Sequence, residues 1–364
     1  MATARTSSLS NLSLSCSNWL NGDGPRPVAS LLATIAENTE PDRYGDGGVV
    51  TELEHEVASL LAKPAALFFP TGTMAQQTTL RVLADRTPSR NIAFHPMCHL
   101  VQHEEGAFER LHGLNAVPVG SHFDPMTVKD LANVRDPLAA LLIELPQRDL
   151  GGVLPTWSEL EAQVAWARER GAFVHLDGAR LWEAAPFYAR SAKKSPADIA
   201  GLFDTVYVSF YKGLGGLAGC CVAGETDVIE ELSQWRIRHG GRMFMMWPYA
   251  ASALSVLRSR PQDMPGYWRR AQAIARGLRG VPDVEVLPEQ VRSPMMHLRL
   301  SIDIKCFEHN VRRLAREQDL WTFARPFVSE GPRLQRLEFQ VGRATMRLSV
   351  DEAVGAIANL AKDR

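Results

Sequence analysis

The chain has 364 residues, 45% of them hydrophobic, and a formal net charge of −1. That length accommodates one large domain plus a smaller one, and the near-zero charge gives no bulk electrostatic case for nucleic acid or an anionic membrane. No run of eighteen apolar residues occurs, so no transmembrane helix is expected.

Residues 1–40 read as an N-terminal arm. "MATARTSSLSNLSLSCSNWL" is Ser-rich and lacks a basic-then-apolar signal pattern. From 41 to 245, strand-like and helix-like segments alternate. "ALFFP" (66–70) and "NIAFHP" (91–96) are strand-like, and "TMAQQTTLRVLA" (73–84) between them has helical apolar spacing. "LAALLIELP" (138–146) is a continuous apolar run, as expected for a strand covered on both faces. "TWSELEAQVAWARERG" (156–171) is an amphipathic helix with Thr or Ser near its cap and Gly at its end. "AFVHLDGA" (172–179), "FDTVYVSF" (203–210) and "LAGCCVAG" (217–224) are three more buried-strand runs. From 246 to 364 the pattern changes to a long helical stretch, "VEVLP", "MMHLRLSI", a helix near 307–318 and "ATMRLSV". The whole predicts an α/β fold, a mostly parallel sheet with helices on both faces, followed by a smaller C-terminal α+β domain.

Five cysteines, Cys16, Cys98, Cys220, Cys221 and Cys306, are odd in number and irregular in spacing. This argues against a disulfide framework and for a reducing cytoplasm.

Ligands of such sheets sit beyond the carboxyl ends of the strands. Thr71-Gly72-Thr73, Asp177, Arg180 and Lys212 all fall there. The small-residue turn 71–73 opens a helix whose free N–H groups suit a phosphate, although a plain Thr-capped connection has the same sequence. Asp177 follows a buried strand, where a carboxylate is costly unless paired. It could bind a metal, orient a histidine, pair with a protonated ring nitrogen, or cap a turn. Lys212 is one of only seven lysines among forty basic residues. Its amine can lose a proton and attack a carbonyl, which arginine cannot do. A phosphate turn, an acid and a lysine are together the parts needed to hold pyridoxal phosphate (PLP). A competing metal reading uses His95, His99 and His103, spaced by four residues with Cys98 between, and would make the chain a metal-dependent hydrolase. Pro96 is expected to start a helix there and leave His95 off its face, so the preferred reading has no metal. A third reading is a non-catalytic binding protein that keeps only the fold.

Four stretches, "YGDGG" (44–48), "FFPTGTMA" (68–75), "HLDGARLWEA" (175–184) and "YKGLGGLAG" (211–219), in this order and spacing resemble the threonine aldolase group of fold type I PLP-dependent enzymes, grouped with β-eliminating lyases. The resemblance runs from about residue 40 to 350 and implies that 41–245 is the PLP-binding domain. It implies Lys212 as the Schiff-base lysine, Asp177 on the pyridine nitrogen and His99 stacked on the ring. Gly72 and Thr73 would hold the phosphate, and Arg180 would lie near the cofactor's phenolate or the substrate carboxylate. Arg347 would grip that carboxylate, and Tyr44 would come from a segment at a subunit interface of a homodimer or homotetramer with shared sites.

The sequence departs from the family twice. After the strand ending at Glu144 the family usually carries Asn-Thr-His; here stands "ELPQRDLGG", with Gln147 about where the histidine would be. In "WRIRHGGRMFMMW" (235–247), a family arginine aligns with Phe244, and Arg242 is the candidate substitute; Arg148 and Met243 could likewise reshape the pocket. The expected reaction is Cα–Cβ cleavage of a β-hydroxy or otherwise β-substituted amino acid to glycine and an aldehyde. The alternative is β-elimination or dehydration on the same residues.

Overall fold

The continuous apolar runs become strands covered on both faces. In a computed structural model, which describes residues 12–33 and 35–363, six of them join one largely exposed strand, β3, in a single sheet: β1 (Ala65–Phe69), β2 (Asn91–Phe94), β3 (Asn115–Pro118), β4 (Ala140–Glu144), β5 (Phe173–Gly178), β6 (Thr205–Ser209) and β7 (Cys220–Gly224). Their order is β1-β7-β6-β5-β4-β2-β3. The neighbours from β6 through β3 pair in parallel. β7 runs antiparallel to both β1 and β6. The physical reason lies in the connection: residues 210–219 contain no helix, and a parallel return needs a crossover of a dozen residues or more. The chain instead doubles back, and Lys212 sits in that reversal.

Helices α1 (Gly48–Leu60), α2 (Gly72–Asp85), α3 (Trp157–Arg168), α4 (Leu181–Ala192), α5 (Thr226–Arg238) and α6 (Trp247–Ser259) accompany the sheet. The Thr156 expectation for α3 is met by a full capping box with Glu159, which satisfies N–H groups at the helix start. α2 is capped by Thr71, whose Oγ1 accepts the Met74 N–H at 3.3 Å.

The chain divides into two compact units. The larger holds residues 28–150 and 154–262; the smaller holds the segment up to Pro27, residues 151–153 and 263–364. The division therefore falls at 262 rather than 245, because α6 packs on α1 inside the larger unit. The expected arm lies partly outside the described residues. Of the rest, Asn18–Trp19 pairs in parallel with Leu320–Trp321, which ties that segment into the smaller unit.

Within the smaller unit, β8 (Val284–Leu287), β9 (Met295–Leu300), β10 (Val328–Gly331) and β11 (Leu334–Gln340) form an antiparallel sheet of order β10-β11-β9-β8. β11 alternates buried and half-buried residues, the signature of a one-sided sheet. "ATMRLSV" is a tight turn, Thr345–Arg347, that runs into helix α7 (Val350–Leu360). Among the described residues no helix is long and apolar enough to cross a membrane, and all five cysteines are free thiols.

Candidate active site

The carboxyl ends of β1, β5 and β6 open onto one cavity of about 270 Å³ in the larger unit. Thr71, Gly72 and Thr73 line it, together with Gln76, His99, Glu104, Asp177, Tyr207 and Lys212. Gly72 is required there, because a Cβ would stand 2.3 Å from the Tyr207 Oη. The turn thus lets backbone N–H groups at the start of α2 approach whatever occupies the cavity. Gln76 adds to that end. Its Oε1 lies 2.6 Å from His175 Nε2, and His175 Nδ1 lies 2.8 Å from Thr205 Oγ1. The amide is thereby oriented, and its Nε2 is buried without a hydrogen-bond partner. Buried donors of this kind are costly unless a ligand or water accepts from them.

Asp177 is the penultimate residue of β5, buried like its neighbours, and is 2% exposed. Its Oδ1 accepts the Ala179 N–H at 3.0 Å. Burial pushes its carboxyl up, while the neighbouring His99 and Lys212 side chains pull it down. Lys212 is lowered from the usual lysine range, first by burial and next by the Arg180 guanidinium. A lysine held this way keeps a larger neutral fraction, the form that attacks carbonyls. Gly213, directly after it, has no room for a side chain, since a Cβ would meet the Glu183 carboxylate at 2.5 Å.

His99 begins the single helical turn His99–Gln102. Its backbone N–H donates to Glu144 Oε2 at 2.9 Å, and its Nδ1 lies 3.0 Å from Glu104 Oε1. Burial lowers its pKa to about 4, so the ring is neutral. Glu144 pairs in register with Asp177 across β4 and β5. Burial and that neighbouring carboxylate raise Glu144 to about 8. His103 stands 5.0 Å from His99, ring to ring, and its Nε2 meets the buried Asp149 carboxylate at 2.9 Å. His95 is turned elsewhere, with Nε2 2.8 Å from the Asp124 carbonyl oxygen. The three histidines therefore do not converge, and among the described residues no group of three or more His, Cys, Asp or Glu is placed to hold a metal ion.

A family model for beta-eliminating lyases matches residues 28–301. The chain belongs to the beta-eliminating lyase family. A Listeria monocytogenes structure described as a candidate L-allo-threonine aldolase superposes with a TM-score of 0.91, at 34% identity over 98% of this chain and 99% of that one. Aldolase vrtJ of Penicillium aethiopicum is 32% identical over 70% of this chain, and the match covers 65% of the fungal protein, just under two thirds. Low-specificity L-threonine aldolase 1 of Arabidopsis thaliana is 25% identical over 81% of this chain and 84% of its own length. The architecture is that of fold type I PLP-dependent enzymes.

Not every residue expected of this beta-eliminating lyase relative lines the cavity. Gly72, Thr73, His99, Asp177 and Lys212 do. Arg180 caps the start of α4, 8% exposed, with its Nε 3.8 Å from Glu183 Oε1. Gln147 is buried in the loop after β4, and its Nε2 has no hydrogen-bond partner. Arg347 belongs to the smaller unit and lines a cavity there with Glu352 and Asn359. Tyr44 is half exposed, with φ 56°, and rests edge-on against Phe244 at 5.3 Å. Its loop stands on the buried Asp42, whose carboxylate accepts the N–H groups of Gly45, Met246 and Trp247. Arg242 is committed to the same loop, donating to the Tyr44 carbonyl and to Asp46.

Glu104, Gln76 and Tyr207 line the cavity without having been singled out from the sequence. Helical spacing would set Glu104, five residues after His99, on a different face from it. The helix stops after one turn, and left-handed residues Glu105 (φ 53°) and Gly106 (φ 67°) redirect the chain.

Proposed function

We propose that the chain is a PLP-dependent lyase that cleaves the Cα–Cβ bond of a β-hydroxy amino acid, giving glycine and an aldehyde. The observation that carries this reading is the convergence of Lys212, Asp177, His99 and the Gly72–Thr73 turn on one cavity. The residues present fit the cofactor. The bare Gly72 backbone and the unpartnered Gln76 Nε2 suit an anionic group at the start of α2. Bound PLP supplies an electron sink for a bond broken at the substrate's α-carbon.

The chain's own groups do the rest. Lys212 would hold the cofactor through its amine, whose neutral form adds to carbonyl groups. Asp177 would keep a proton on the ring nitrogen, since an ionised carboxylate stabilises a cation beside it. His99 would be the aromatic side chain that helps hold the ring. Arg180 takes the substrate carboxylate and so fixes which bond at the α-carbon is aligned for cleavage. Tyr44 is supplied by a second copy of the chain, in a homodimer or homotetramer with shared sites. The protein works in the cytoplasm on a small amino acid, with no nucleic-acid or membrane partner.

A second reading, β-elimination or dehydration, is favoured by one feature. Gln147 stands where a proton-accepting histidine is usual, and an amide cannot take a proton at neutral pH. A screen of β-substituted amino acids, detecting aldehyde and keto-acid products separately, decides between them. Aldehyde with stoichiometric glycine supports cleavage; keto acid alone supports elimination; neither, with no visible absorbance from PLP, rejects both.

A further inference from the structure

Glu104 is an acid that neither reading above uses. It is 4% exposed and lines the same cavity as Lys212 and His99. One of its oxygens lies 3.0 Å from His99 Nδ1, and the other is buried without a hydrogen-bond partner. An ionised carboxylate only accepts hydrogen bonds. The Nδ1 facing it must therefore carry the ring's proton, which leaves the lone pair on Nε2.

We propose that Glu104 is a positioning residue that fixes His99 as the Nδ1–H tautomer, so that Nε2 accepts the β-hydroxyl proton that Gln147 cannot. The inference deepens the lyase reading and rests on it. The β-hydroxyl proton passes to Nε2 as the Cα–Cβ bond breaks and the aldehyde C=O forms. The electron pair of that bond stays with the α-carbon, which then takes a proton to become glycine, and His99 returns to neutral.

The electrostatics agree. Lys212, His103 and Arg148 face His99 and oppose its protonation, while Asp177 favours it; burial is the larger effect. Burial raises Glu104 to about 7, against the pull of Lys212 and His103. Above that pH the carboxylate holds the Nδ1 proton. Below it, Glu104 carries its own proton, becomes a donor, and no longer enforces this tautomer.

The test uses full-length protein with ¹⁵N-labelled histidine, the His99 signals being assigned by difference with His99→Gln. At pH 8 the ring shifts should report Nδ1–H in the wild type and in Glu104→Gln, whose amide oxygen can still accept, and loss of that preference in Glu104→Leu. In the PLP-loaded enzyme, Glu104→Leu should lower kcat on the order of a hundredfold with KM little changed, and Glu104→Gln should recover most of it. The wild-type acidic limb near pH 7 should vanish in Glu104→Gln. A wild-type tautomer and kcat in Glu104→Leu would overturn the proposal. If Glu104→Leu does not fold, an unchanged acidic limb in Glu104→Gln overturns it instead. Should the wild type cleave no β-hydroxy amino acid, the lyase reading fails, yet the tautomer still decides whether Glu104 sets His99.

Discussion

Two regions of the larger unit meet at the carboxyl ends of its sheet, and they are built differently. At β1, β5 and β6, single groups face the cavity: Gly72, Asp177 and Lys212 each line it. At β4 the polar side chains are held in pairs. Glu144 accepts N–H groups from His99 and Arg148, His103 meets Asp149, and His99 meets Glu104. A cofactor of fixed shape is held by fixed residue types. A substrate's reacting group needs a proton moved, and that depends on which two side chains the fold brings together.

The largest expected effect breaks the first region. Lys212→Ala should lose all measurable turnover and the visible absorbance of PLP, read by a spectrum and a product assay. Next comes Asp177→Asn, which keeps the shape but not the charge. It should retain PLP while kcat falls on the order of a hundred- to a thousandfold, the scale of losing one preorganised electrostatic contact; turnover like the wild type would make Asp177 structural. The second region is sharpened by a gain. Gln147→His should raise threonine cleavage about tenfold, part of what a general base typically contributes. An unchanged rate, with a wild type that already cleaves threonine as fast as its best substrate, would refute that role for the loop.

The sequence was most legible where residue type alone limits the chemistry. The strands around Asp177 and Lys212 read as buried runs, and a polar residue at the end of each stood out against them. The antiparallel turn of β7 was not legible from apolar runs, because strand direction depends on the length and content of the connection. Glu104 escaped for a related reason. Its closeness to His99 comes from a one-turn helix and two left-handed residues, which helical periodicity does not encode. Tyr44 was placed by resemblance alone. Its ring does not line the cavity of its own chain; it packs edge-on against the half-exposed Phe244.

That exposed group carries the smallest expected effect. Sedimentation at assay concentration should show a dimer or tetramer, and Tyr44→Ala should lower kcat/KM a few-fold. A fully active monomer would contradict a shared site.

The central claim is that Lys212 holds the cofactor, and borohydride tests it most directly. The reagent fixes PLP irreversibly to whatever amine bears it, and peptide mapping then reads the site. The label should lie on the peptide containing "YKGLGG", at Lys212. Label on any of the other six lysines, or none on a protein that binds PLP and turns over substrate, would contradict it.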